Sequence, residues 1–395
     1  MIKTVSVENF KCFENQTSFF FSKINLLTGI NGRGKSSLLQ SLLLLSQTFR
    51  KQKSPQKLII NGEWINLGTF EDIKNSDTDK KSVFLNIITD DIEQSDISFE
   101  YEESPSNERI ANLVGLKVDQ KDLFVEMTDN LSGSKKQSLS SKKVLTPIDS
   151  IKTFNQFYKF HYISADRLGP VEYVKKNNSP ESLNVGIRGE NLINVLAYNG
   201  NDIEIPENLC KNKSQGNKLT KQTIEWLSYI LDGANLSIRK EKASSIIELL
   251  LNSRTNKKCY RPINVGFGYS YILPIIVSCL VSKPGDVMVI ENPEAHLHPR
   301  AQSRISEFFS VIASFGVQIF IESHSEHILN GLRVNILKSK GLTSQDLSIY
   351  YWGEDSIPQR LEIGSNGKIQ NWPLGFFDQQ EADLAEIFNL GRLAK

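Results

Sequence analysis

The 395-residue chain carries 46 Lys and Arg against 45 Asp and Glu, so its formal net charge is only +1. That balance excludes a general attraction to nucleic acid and leaves such a role to a local patch. The length allows one large domain or two to three ordinary ones, while Cys12, Cys210, Cys259 and Cys279 never form C-x-x-C, the pattern of free thiols in a reducing cytosol.

In chain order, residues 2–7 alternate as a strand, unlike a signal peptide, and residues 16–21 and 24–27 read as two more. Next comes Gly29-Ile30-Asn31-Gly32-Arg33-Gly34-Lys35-Ser36, a full match to G-x-x-x-x-G-K-[ST], followed by Ser37 and leucines at 38, 39, 42, 43 and 45. Strand, glycine loop and helix are the context this motif needs: backbone N–H groups turn inward around a β-phosphate and the helix start adds its dipole. Lys35 would then reach the β- and γ-phosphates of a nucleotide, and the Ser36 hydroxyl would hold Mg²⁺. The leucines at 42–45 are far too few to span a bilayer, so no membrane role and a cytoplasmic location are expected.

Pro55 closes the helical stretch, and residues 60–70 read as a hairpin and turn. Short alternating runs at 83–89, 97–101, 113–118 and 123–127 predict an antiparallel β lobe, and the Ser- and Lys-rich stretch 130–143 reads as a solvated loop. Residues 160–165 predict a buried strand that ends in Asp166-Arg167, either a ligand-facing pair at a strand mouth or an ion pair capping its own turn. Residues 190–198 and 220–231 read as helices and 245–251 as a strand, with no heptads for a coiled-coil arm.

Gly266-Phe267-Gly268-Tyr269-Ser270 precedes an apolar helical run at 271–281. Glycines and a serine at a helix start suit an anion, here the γ-phosphate held by a second copy, or alternatively pack helix to sheet. Residues 286–290 then form an apolar strand ending in Glu291-Asn292-Pro293-Glu294. Glu291 is placed at Mg²⁺, directly or through water, and Glu294 at the attacking water. A further apolar run, 318–321, leads into Glu322-Ser323-His324-Ser325; lying beside the preceding strand, it would bring His324 to the γ-phosphate. Four of the five histidines fall between 296 and 327, but at spacings that do not make a zinc pair of the H-E-x-x-H kind.

Taken together, the opening Val7-Glu8-Asn9-Phe10-Lys11, the glycine loop through Ser37, the 266–270 segment with Leu273-Pro274, the acidic turn with Leu297-His298-Pro299 and the Glu322–Ser325 strand end resemble ATP-binding-cassette ATPases of the SMC, RecF and OLD-like group. The tail at 371–378 is similar to an uncharacterised C-terminal domain that many standalone members carry. The resemblance implies an α/β P-loop NTPase with a mixed sheet, an antiparallel β lobe and a helical lobe. It lays the chain out as residues 1–75 and 261–345 for the two halves of the core, 76–160 for the β lobe, 161–260 for the helical lobe and 346–395 for the tail. It further implies a homodimer or higher oligomer closed on ATP, in which Gly266, Gly268 and Ser270 meet the partner's nucleotide, Glu294 is the base and His324 the γ-phosphate sensor. A separate effector, a nuclease, in an antiphage system is the expected partner, and nucleic acid a possible stimulus. No D-x-D occurs after residue 330, so the resemblance does not extend to a nuclease in this chain. A RecF-like clamp on DNA and a slow nucleotide-gated scaffold are the alternatives.

Overall fold

The computed structural model describes residues 1–90, 95–126, 142–144, 152–176, 183–241, 244–252, 258–338 and 341–393. They fall into two compact units, one of Met1–Phe21 with Gly34–Phe160 and the other of Ser22–Arg33 with His161–Lys395. The division passes through the glycine loop.

In the first unit, β1 (Ile2–Glu8), β2 (Thr17–Phe20), β4 (Lys57–Ile59), β5 (Val83–Thr89), β6 (Ser95–Ser104) and β7 (Asn107–Val118) form one sheet in the order β2-β1-β5-β6-β7-β4, with the short β8 (Lys121–Asp122) on β7. Every pairing in it is antiparallel. The alternation of buried and half-buried residues along β5, Val83, Leu85, Ile87 and Thr89 inward, is what a sheet with one covered face requires. The sequence places β1 and β2 as strands but names no partner for them; the structure pairs both in this antiparallel sheet. Helix α1 (Lys35–Gln52) belongs to the same unit, with Leu38, Leu39, Leu42 to Leu45 and Phe49 all buried. Phe49 stacks on Phe157 at 4.6 Å between ring centroids, and Ser46 donates to the Phe157 carbonyl at 2.6 Å. These contacts anchor the C-terminal half of the helix. Residues 60–70, expected as a hairpin and turn, hold only the isolated antiparallel bridge Asn61–Asn66 and lead into a four-residue helix, α2 (Phe70–Ile73), which a capping box of Thr69 and Asp72 opens. The stretch read as a solvated loop, 130–143, lies outside the described residues except at its end, where β10 (Lys142–Val144) pairs with β9 (Phe124–Glu126).

The second unit is built on a six-stranded sheet in the order β11-β15-β16-β3-β17-β18, from β3 (Ile24–Gly29), β11 (Phe160–Ile163), β15 (Val287–Glu291), β16 (Gln318–Glu322), β17 (Leu347–Trp352) and β18 (Pro358–Leu361). Strands β15, β16, β3 and β17 are mutually parallel, and β18 is antiparallel. Parallel strands covered on both faces lose the alternating pattern. That is why residues 287–290 and 319–321 read as unbroken apolar runs, and all of them are buried. Helices α5 (Phe267–Val281), α6 (Pro299–Ser314) and α7 (Glu326–Leu337) share this unit's apolar core with the sheet.

Helices α3 (Leu192–Asn199) and α4 (Leu219–Ile230) stand where the sequence places them. The same interval also holds a three-stranded antiparallel sheet, β12 (Tyr173–Lys175), β14 (Ile246–Asn252) and β13 (Asn235–Arg239), of which only β14 was expected. The last helix, α8 (Gln379–Leu393), lies beyond Phe376, which is buried against Tyr351.

Candidate functional site

The register of the parallel strands decides what meets at their C-terminal ends. Glu291 pairs with Glu322, and Glu322 with Leu27, so β15, β16 and β3 finish side by side. From this edge leave the acidic turn, the Glu322–Ser325 segment and the glycine loop, the place where open α/β sheets bind ligands.

The glycine loop begins on a fixed base. Ile30 N–H donates to the Trp352 carbonyl at 2.9 Å, and the Arg33 guanidinium donates to Ser356 Oγ at 3.2 Å. Gly29, Gly32 and Gly34 have φ of 126°, 74° and 116°, values only glycine takes without strain. Around Gly32 there is open space, and Asn31 and Gly32 are exposed, so this part of the loop can admit a ligand. Gly34 caps α1, whose first residue Lys35 is buried and whose Ser36 is exposed. The Glu291 carboxylate at the end of β15 is an oxygen donor, the ligand type that Mg²⁺ takes.

At the end of β15 the chain reverses through Asn292, at φ 44°, whose N–H donates to the Glu322 carbonyl at 2.8 Å. The turn carries Glu294 back towards β16, where Ser323 Oγ donates to its Oε2 at 2.9 Å and His324 N–H to its Oε1 at 2.7 Å. Glu294 and His324, read from sequence as neighbours of one phosphate, are thus joined through the backbone of His324. The His324 side chain is exposed. Glu291 is held from the other flank, where Ala165 N–H donates to its Oε2 at 3.0 Å. Nearby, burial and the Glu291 charge together push the Tyr162 hydroxyl well above the usual phenol range.

The pair Asp166-Arg167 is not an ion pair. Asp166 bonds Arg188 at 3.2 Å, whereas Arg167 is buried and donates to the carbonyls of Glu291 at 2.7 Å and Asn292 at 2.6 Å. Burial lowers the Arg167 pKa to about 10, which leaves it charged at neutral pH. Sequence reasoning marked the position but could not see these acceptors, which lie more than a hundred residues downstream.

In the second glycine segment, Gly266 is the exposed N-cap of α5. Gly268 packs so closely on the His296 carbonyl that a Cβ would come within 2.8 Å of it. Ser270, one turn into the helix, is buried. His296 and His298 serve local structure: His296 lies edge-on to Tyr271 at 4.5 Å between centroids, and His298 Nδ1 accepts from Arg300 N–H at the start of α6.

Residues 1–329 match the family described as AAA ATPase domain. The chain belongs to that family. Residues 342–387 of the ATPase match a second family, described as a protein of unknown function, DUF3696. Since β17 falls inside this second match and pairs with β3, residues of the uncharacterised family complete the sheet that carries the glycine loop. The ATPase is 47% identical over 45 residues to an ATP/GTP phosphatase of Helicobacter pylori, a match that covers 11% of this chain and only 12% of that protein. Among solved structures it resembles an Smc head bound to the C-winged helix domain of ScpA, with a TM-score of 0.50 and 11% identity over 95% of this chain and 98% of that one. It also resembles the SMC head domain from Thermotoga maritima, with a TM-score of 0.45 and 10% identity over 92% and 99%. The first of these likenesses shows the fold, an α/β P-loop NTPase of the SMC-head type with a mixed sheet and an antiparallel lobe. Among the described residues no helix is long and apolar enough to cross a membrane.

Proposed function

We propose that two copies of this ATPase close on two molecules of ATP and that the closed state controls a separate effector protein, a nuclease, in an antiphage system. The observation that carries the nucleotide chemistry is the shared C-terminal edge of β3, β15 and β16, from which the glycine loop and the acidic turn both leave. In this reading the N–H groups of residues 31–34 and Lys35 bind the phosphates. Ser36 and Glu291 hold Mg²⁺, which when bound draws charge from the phosphate oxygens. Glu294 accepts the proton of the attacking water; Ser323 Oγ and His324 N–H aim its carboxylate. His324 reads the γ-phosphate, and Gly266, Gly268 and Ser270 approach the nucleotide of the second copy. The exposed N-cap at Gly266 supports the last assignment, since a helix start offers backbone N–H groups to an anion. The effector role is supported by the resemblance to standalone ATPases with a similar tail.

Phosphate release by the parent and by Glu294→Gln tests the chemistry. The account expects the amide, which cannot accept the proton, to lower turnover by about a hundredfold or more while ATP binding persists. Equal rates in the two proteins would remove Glu294 from the reaction. Copurification of the native protein with a nuclease, lost on mixing with ADP, tests the effector role.

A further inference from the structure

We infer that Arg167 is a positioning residue for hydrolysis: it fixes the acidic turn after β15 and joins that turn to Tyr271, near the start of α5. The inference deepens the ATPase reading and rests on it.

The Arg167 side chain is 2% exposed, yet among the described residues it forms no salt bridge with a carboxylate. Its donors go to main-chain carbonyls instead, Glu291 O at 2.7 Å, Asn292 O at 2.6 Å and Ser164 O at 3.2 Å, while Nε is buried without a hydrogen-bond partner. A buried cation spent on carbonyls is a costly arrangement. The planar fork of a guanidinium, however, holds two successive carbonyls in a fixed relation, which a lysine cannot do. Those two carbonyls flank the point where β15 ends and Asn292 turns the chain over at φ 44°. The same loop sets the Glu291 side chain, through Ala165 N–H. Residues 164–167 thus fix both the backbone and the carboxylate of one acidic residue, and the backbone leading to the other.

The guanidinium also lies over the Tyr271 ring, 5.2 Å from its centroid. Tyr271 stands on the first turns of α5, against His296 of the acidic turn. The close approach of Gly268 to the His296 carbonyl makes the same junction from the backbone side. Two residues beyond Arg167, Gly169 sits against the Phe267 ring, where a Cβ would come within 3.3 Å. A displacement of the start of α5 therefore bears directly on Arg167, and through it on the carbonyls of Glu291 and Asn292.

The test measures nucleotide affinity with a fluorescent ATP analogue, and phosphate release at saturating ATP and Mg²⁺, on the full chain and three variants. Arg167→Met is expected to keep affinity within about threefold and to lose kcat by about tenfold or more, the loss typical of groups that orient reacting residues. Arg167→Lys should recover part of that loss. Tyr271→Leu, which leaves the carbonyl bonds in place, should lower kcat by about threefold at unchanged affinity. Should Arg167→Met not fold, Arg167→Lys and Tyr271→Leu carry the decision, and parental kcat in both overturns the inference. Parental kcat in Arg167→Met, or a loss of affinity that matches the loss of turnover, overturns it as well. A parent that turns over beside an unaffected Arg167→Met removes this inference alone; a parent that binds ATP and never releases phosphate removes the ATPase reading and the inference with it.

Discussion

Lys35 is where the residue scale is sharpest. It is buried at the first position of α1, directly after a glycine whose φ of 116° no other residue adopts easily. No other lysine lies in the motif, and the neighbouring Arg33 is already engaged with Ser356. Lys35→Ala is therefore expected to weaken ATP binding by about a hundredfold or more in isothermal titration, and affinity within a few-fold of the parent would refute the assignment of the loop. At this scale the sequence is informative wherever chemistry is written in adjacent positions. The glycine loop, Glu291, Glu294 and His324 are all visible as short patterns bound to a strand end. Arg167 is not, because its acceptors, Glu291 and Asn292, are 124 and 125 positions away in the chain. The left-handed turn at Asn292 is equally hidden, since asparagine also occupies many ordinary turns.

Among the elements, β3 and β17 show how the loop is held. The two strands are parallel and in register from Ile24 opposite Leu347 to Gly29 opposite Trp352. At the end of that ladder Gly29 lies against the Trp352 backbone, where a Cβ would sit 2.2 Å from the carbonyl oxygen. With φ of 126° as well, Gly29→Ala should cost roughly 2 kcal/mol or more in urea unfolding and should weaken ATP binding, because the loop starts from this contact. An alanine variant as stable as the parent would show that the strand end gives way freely. Strands β15 and β16 were legible because an apolar run ending in acids has few other meanings in an α/β chain. The pairing of β1 and β2 was not, since an alternating strand carries no label for its neighbour. Strand β13 was missed because Leu236 and Ile238 alone make too short an alternation to stand out.

For the whole molecule, the family and the fold carry the conclusion further than any one residue. An SMC-type head with an AAA ATPase match over residues 1–329 explains why the glycine loop and the acidic turns, far apart in sequence, belong to one machine. The uncharacterised second match is part of the same sheet, so it is expected to respond to the nucleotide state of the loop that its strand supports. Helix α8, which begins inside that match, exposes Leu384, Ile387, Phe388 and Leu390. The near-neutral charge gives no general hold on nucleic acid.

The central claim is that ATP brings two copies together face to face. Its most direct measurement is the solution mass of Glu294→Gln, by light scattering after size exclusion, with saturating ATP and Mg²⁺ and again with ADP. The account predicts the mass of two chains with ATP and of one chain with ADP. A single-chain mass at full ATP occupancy would contradict it.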